Sequence, residues 1–99
     1  MKDADERQKV LIVDDQPENV QMLMQALKAD HALVAARNGE KALQLAHRDP
    51  KPDVILLDVM MPEMDGYEVC ARLKADDETK EIPVIFITAL SEAADEAKG

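Results

Sequence analysis

Three aliphatic runs in this chain each end in residues that could do oxygen chemistry. Val10-Leu11-Ile12-Val13 is followed by Asp14-Asp15, Val54-Ile55-Leu56-Leu57 by Asp58, and Val84-Ile85-Phe86-Ile87 by Thr88. Short aliphatic runs rich in β-branched residues read as strands of a parallel sheet, and the central one as a strand buried on both faces. In an open α/β sheet the ligand crevice lies outside the carboxyl ends of the strands. All four groups would then project from one edge. Three carboxylates held together repel one another, and a divalent cation relieves that cost. Hard oxygen ligands on short loops, with room for water and no Cys or His nearby, suit Mg²⁺ better than zinc. An aspartate neutralised in this way, Asp58, can attack a phosphoryl group, with the Thr88 hydroxyl donating to a phosphoryl oxygen. Taken singly, Asp14 and Asp15 are also helix caps, Asp58 a solvated strand end and Thr88 a β-former. Their coincidence at three strand ends favours a site.

The intervening segments must carry the chain back across the sheet. Pro17 suits the first turn of a helix. Val20, Leu23, Met24 and Leu27 then form a stripe at i, i+3, i+4, i+7 that packs on the sheet, with Met22 and Met24 as core or flank. Leu33 to Ala36 is a second strand. Asn38-Gly39 turns into a helix over Glu40 to Arg48, which Pro50 and Pro52 stop. Asp65-Gly66 is a further turn, and Val69, Cys70 and Leu73 follow at helical spacing, with Cys70 a small buried hydrophobe. A charged connection from Ala75 to Glu81 leads to the strand after Pro83. Ser91 N-caps a last helix over Glu92 to Lys98. The pattern is β-α four times, which predicts an α/β parallel sheet with right-handed crossovers and helices on both faces.

Composition narrows the function. The 99 residues make one small domain with a core of Val, Ile, Leu, Met and Ala, since aromatics are 2%. A net charge of −9 opposes direct nucleic-acid binding and suits a cation. One cysteine excludes an internal disulfide, and no apolar run reaches membrane-spanning length, so a cytoplasmic protein is expected. Residues 1–8 read as a polar leader and residues 9–99 as the domain. His31 and His47, near helix ends and away from the acids, are expected to be exposed and to bind neither metal nor phosphate.

Val-Asp-Asp-Gln after the first strand, Leu-Leu-Asp-Val-Met-Met-Pro-Glu-Met-Asp-Gly in the middle and Pro-Val-Ile-Phe-Ile-Thr-Ala near the end resemble the receiver domain of bacterial two-component response regulators. The resemblance implies a flavodoxin-like, doubly wound parallel sheet of strand order 2-1-3-4. It makes Asp58 the phosphoacceptor, Asp15 a direct Mg²⁺ ligand, Asp14 a ligand through water, and the Met60 carbonyl a further ligand. Thr88 becomes the switch hydroxyl, with Ala89 beside the phosphoryl group. The implied partners are a sensor histidine kinase or phosphotransfer protein that supplies phosphohistidine, and an output domain or effector. The domain would be a regulatory phosphoacceptor in a phosphorelay, and an enzyme only in assisting its own modification.

A complete receiver carries a fifth strand and helix and a lysine that pairs with the phosphoryl group. These are expected to lie beyond Gly99, because Lys98 falls on the helix after Thr88. On that basis the apolar fourth strand, Val84 to Ile87, would be an edge open to self-association. A dehalogenase-type phosphatase needs a second acid where Met60 stands. A nucleotide-binding module needs glycines where Asp14-Asp15-Gln16-Pro17 stands. The remaining alternative is a degenerate, phosphorylation-independent interaction domain.

Overall fold

The computed structural model describes residues 8–87. In chain order the elements are β1 (Gln8–Val13), α1 (Pro17–Leu27), β2 (His31–Ala36), α2 (Gly39–Ala46), β3 (Val54–Asp58), α3 (Gly66–Ala75) and β4 (Val84–Ile87). The four strands form one parallel sheet in the order β2-β1-β3-β4. This is the α/β order expected for a flavodoxin-like receiver. The helix expected over Glu92 to Lys98 lies outside the described residues.

Side-chain alternation assigns each strand residue to a face. Leu11, Val13, Ile55 and Leu57 point to the side covered by α2 and α3, where Ala42, Leu45, Ala46, Val69 and Leu73 complete the core. Val10, Ile12, Leu33, Val54 and Leu56 point to the other side, where α1 brings Val20, Leu23, Met24 and Leu27. The two sides are not equally covered. Ile55 and Leu57 are fully buried while Val54 and Leu56 are half-buried, so β3 is not buried on both faces as its unbroken aliphatic run suggests.

Several boundaries differ from the expected ones. β1 begins at Gln8 and β2 at His31 because the two pair in register from those residues on, at polar positions that carry no apolar pattern. α2 ends at Ala46, where the His47 N–H donates to the Gln44 carbonyl and the Arg48 N–H to the Leu45 carbonyl, which tightens the last turn. Cys70 is half-buried against the core rather than enclosed. Met22 is an exposed flank and Met24 packs at the rim of the α1 cluster.

Candidate functional site

The end of β1 is fixed by its neighbour. The Asp14 N–H donates to the Ala36 carbonyl at 3.1 Å, one residue beyond the β1-β2 ladder, and this holds Asp14 at the strand end with 1% exposure. One Asp14 carboxylate oxygen accepts from the Gln16 N–H at 2.9 Å, an Asx-type turn that starts α1. The other accepts from the Asn19 side-chain amide at 3.2 Å. Both oxygens are thereby oriented while each keeps a lone pair for a further partner. Asp15 is half-buried beside it.

Asp58 closes β3, paired with Ile87 on β4 and fully buried. Its Oδ1 accepts from the Met60 N–H at 3.3 Å, so the loop after the strand curls back over the carboxylate. The loop is tightened further on. Met64 N–H donates to the Pro62 carbonyl at 2.8 Å, and Glu63 takes a positive φ of 69°, a conformation an L-residue adopts at some cost. Asp65 then N-caps α3 by accepting from the Glu68 N–H at 2.9 Å. Met60 and Tyr67 flank this loop with exposed side chains, and the Tyr67 ring lies 5.2 Å from that of Phe86 on β4.

Together the two strand ends bring Asp14, Asp15 and Asp58 to one point, with a carboxylate oxygen from each within 4.8 Å of the others. Three carboxylates at that spacing, two of them buried, repel one another, and a divalent cation between them would offset that repulsion. The donors are oxygens only. No His or Cys joins the cluster among the described residues, which fits a hard divalent ion such as Mg²⁺ and not zinc.

This geometry has counterparts. Residues 10–99 match the response regulator receiver domain family. The chain belongs to that family. As a receiver domain it is 49% identical over 92 residues to the response regulator PleD of Caulobacter vibrioides, covering 92% of this chain and 20% of PleD. The chain thus spans about one-fifth of the length of that relative. Among solved structures it is similar to the N-terminal domain of a response regulator receiver protein from Methanoculleus marisnigri, with a TM-score of 0.77, 35% identity, and coverage of 90% and 76% of the two chains. It is also similar to the Mn²⁺-bound form of the response regulator Rcp1, with a TM-score of 0.74, 28% identity, and coverage of 92% and 74%.

Of the receiver's expected site residues, Asp14, Asp15, Asp58 and Met60 are thus gathered at one edge, whereas Thr88 and Ala89 lie outside the described residues. Asn19 escaped the sequence reading. Its signal was only that it stands five residues after Asp14, one turn into a helix that starts at the strand end. His31 and His47 are remote from the acids, at the opposite edge. His31 is half-buried at the start of β2, with Nδ1 3.1 Å from the Leu27 carbonyl, because the strand begins earlier than its apolar pattern suggests. His47 is exposed but partnered. Its Nδ1 lies 2.8 Å from the Leu43 carbonyl and its Nε2 2.8 Å from Asp76, both of them acceptors, which only the protonated ring satisfies at once. The Leu43 carbonyl first, and then the Asp76 carboxylate, hold the imidazole above its ordinary value. The Glu78 N–H and then His47 hold Asp76 below its own. No helix among the described residues is long and apolar enough to cross a membrane.

Proposed function

We propose that this receiver accepts a phosphoryl group on Asp58 from a phosphohistidine of a sensor kinase or phosphotransfer protein, with Mg²⁺ held at the acidic edge. The observation that carries the proposal is the convergence of Asp14, Asp15 and Asp58 within 4.8 Å at the ends of two adjacent strands. Asp15, the less buried of the pair on the first strand, serves as a direct ligand. Asp14, with both oxygens already engaged by Gln16 and Asn19, acts through water. Asp58 and the Met60 carbonyl complete the set. When bound, Mg²⁺ offsets the clustered negative charge and polarises the phosphoryl oxygens.

The chemistry at Asp58 is a substitution at phosphorus. A carboxylate oxygen forms the new O–P bond as the N–P bond of phosphohistidine breaks, and its electron pair returns to the imidazole nitrogen. The product is an acyl phosphate on Asp58. Thr88 supplies a hydroxyl to a phosphoryl oxygen, with Ala89 beside it, and the altered edge is read by an output domain or effector. Residues 9–99 act as this signalling unit.

Incubation with acetyl phosphate and Mg²⁺ followed by peptide mapping tests the assignment. Modification at Asp58 alone, lost in Asp58→Ala and without Mg²⁺, is expected. Modification that survives Asp58→Ala would refute it, and a chain that takes up neither Mg²⁺ nor phosphoryl groups would be a phosphorylation-independent interaction domain.

A further inference from the structure

Gly66 stands where the strand carrying Asp58 passes into α3. A Cβ at this position would lie 2.3 Å from the Asp58 carbonyl oxygen and 2.9 Å from the Val59 Cα. Both obstructing atoms belong to the backbone, so no change of rotamer relieves the overlap. Gly66 has no positive φ. Space, not handedness, is what requires glycine here.

The contact is reinforced by hydrogen bonding. Gly66 N–H donates to the Val59 carbonyl at 2.9 Å, and Asp65 caps the same turn through the Glu68 N–H. The first turn of α3 therefore rests on the Asp58 and Val59 peptides themselves. The loop from Met60 to Met64 is closed between those anchors, and its Met60 N–H reaches back to the Asp58 carboxylate.

We propose that Gly66 is a positioning residue, the seat that aligns Asp58 and the Met60 carbonyl with Asp14 and Asp15; this rests on the Mg²⁺ site proposed above. A methyl group at residue 66 must push α3 and the loop off the strand end. The carboxylate and the Met60 carbonyl then move relative to the acids on β1, which are held independently by Ala36, Gln16 and Asn19.

Gly39 provides a matched control. A Cβ there would meet the Met64 Sδ at 2.7 Å and the Val69 Cγ2 at 2.9 Å, and the nearest of these is the far part of a flexible side chain. The same substitution at Gly39 presses only on side chains, that of Met64 at the far end of the loop and that of Val69 on α3, and does not touch the peptide of Asp58.

Mg²⁺ titrations of wild type, Gly66→Ala and Gly39→Ala, read beside urea unfolding of each, test the proposal. Gly66→Ala is expected to bind Mg²⁺ about 10–100-fold more weakly, the range for residues that orient metal ligands. Gly39→Ala is expected to keep wild-type affinity whatever stability it loses. Wild-type affinity in Gly66→Ala, or equal weakening in both variants, overturns the proposal. Wild type that binds no Mg²⁺ overturns the site and the proposal with it. If Gly66→Ala does not fold, amide exchange in wild type decides. Mg²⁺ should slow exchange of the Gly66 and Met60 N–H groups by a common factor, and slowing of Met60 alone refutes the role of Gly66.

Discussion

The two edges of the sheet treat charge in opposite ways. At the carboxyl ends of β1 and β3, three carboxylates of like sign crowd within 4.8 Å, two of them buried. At the amino ends, charges of opposite sign meet in the open. His47 pairs with Asp76 at 2.8 Å and Lys51 with Asp49 at 3.3 Å. The Lys74 ammonium donates to the Lys80 and Ile82 carbonyls, and the Lys9 ammonium to that of Pro50. Exposed pairs of this kind are screened by solvent and contribute little to stability. The contrast separates maintenance from function: one edge pairs opposite charges at the surface, and the other gathers like charges in the set of oxygens proposed to hold Mg²⁺.

The largest effect expected to sharpen the comparison is Mg²⁺-dependent stability. At about a hundredfold excess over its Kd, a ligand that binds only the folded chain adds about 2.7 kcal/mol. Urea unfolding should show that gain in wild type and in His47→Gln alike, and little of it in Asp15→Asn. A gain that depended on His47 would break the separation between the edges. Next in size is the metal-free stability of Asp15→Asn. Removing one of three neighbouring like charges should raise it by about 0.5–2 kcal/mol, the range for a stabilising change of charge. A fall in metal-free stability would mean that the acids already support the fold.

How legible these edges were in the sequence follows from the range of the interactions that build them. Asp14, Asp15 and Asp58 could be read because each directly follows an aliphatic strand, and parallel pairing brings strand ends together without further information. The sheet order was carried by the receiver motif and by β-α alternation. Asn19 and Gly66 were not legible as site residues. The role of Asn19 depends on a side-chain reach to Asp14, and that of Gly66 on the close approach of a helix to a strand peptide. The His47 pair was hidden altogether, since Asp76 lies 29 residues away and meets it only because α2 and α3 end at the same edge. The half-buried side of β3 was not legible because an all-aliphatic run does not say how fully each face is covered.

A smaller effect ranks the acids. Asp15→Asn should weaken Mg²⁺ binding more than Asp14→Asn does, since an asparagine at residue 14 can still orient a water through the oxygen it retains. Isothermal titration of the two variants checks the order, and the reverse ranking would exchange their roles. The smallest effect is the pH response of the opposite edge. Folding raises the affinity of His47 for its proton, so its contribution is complete below the ordinary value of 6.5 and is lost as pH rises through the raised one. Folding lowers that of Asp76, so its contribution is present above the ordinary 3.8 and is lost as pH falls through the lowered value. The pair is therefore complete between those limits. Thermal melts should show a small, salt-sensitive loss on the alkaline side that His47→Gln removes; an unchanged profile in that variant would deny the pair any role.

The acidic edge is tested most directly by calorimetric titration of Mg²⁺ into wild type and into the Asp15→Asn, Asp58→Asn double variant. Saturable one-site binding in wild type that disappears in the double variant is the expected result, and equal affinity in the two would contradict a metal site at the strand ends.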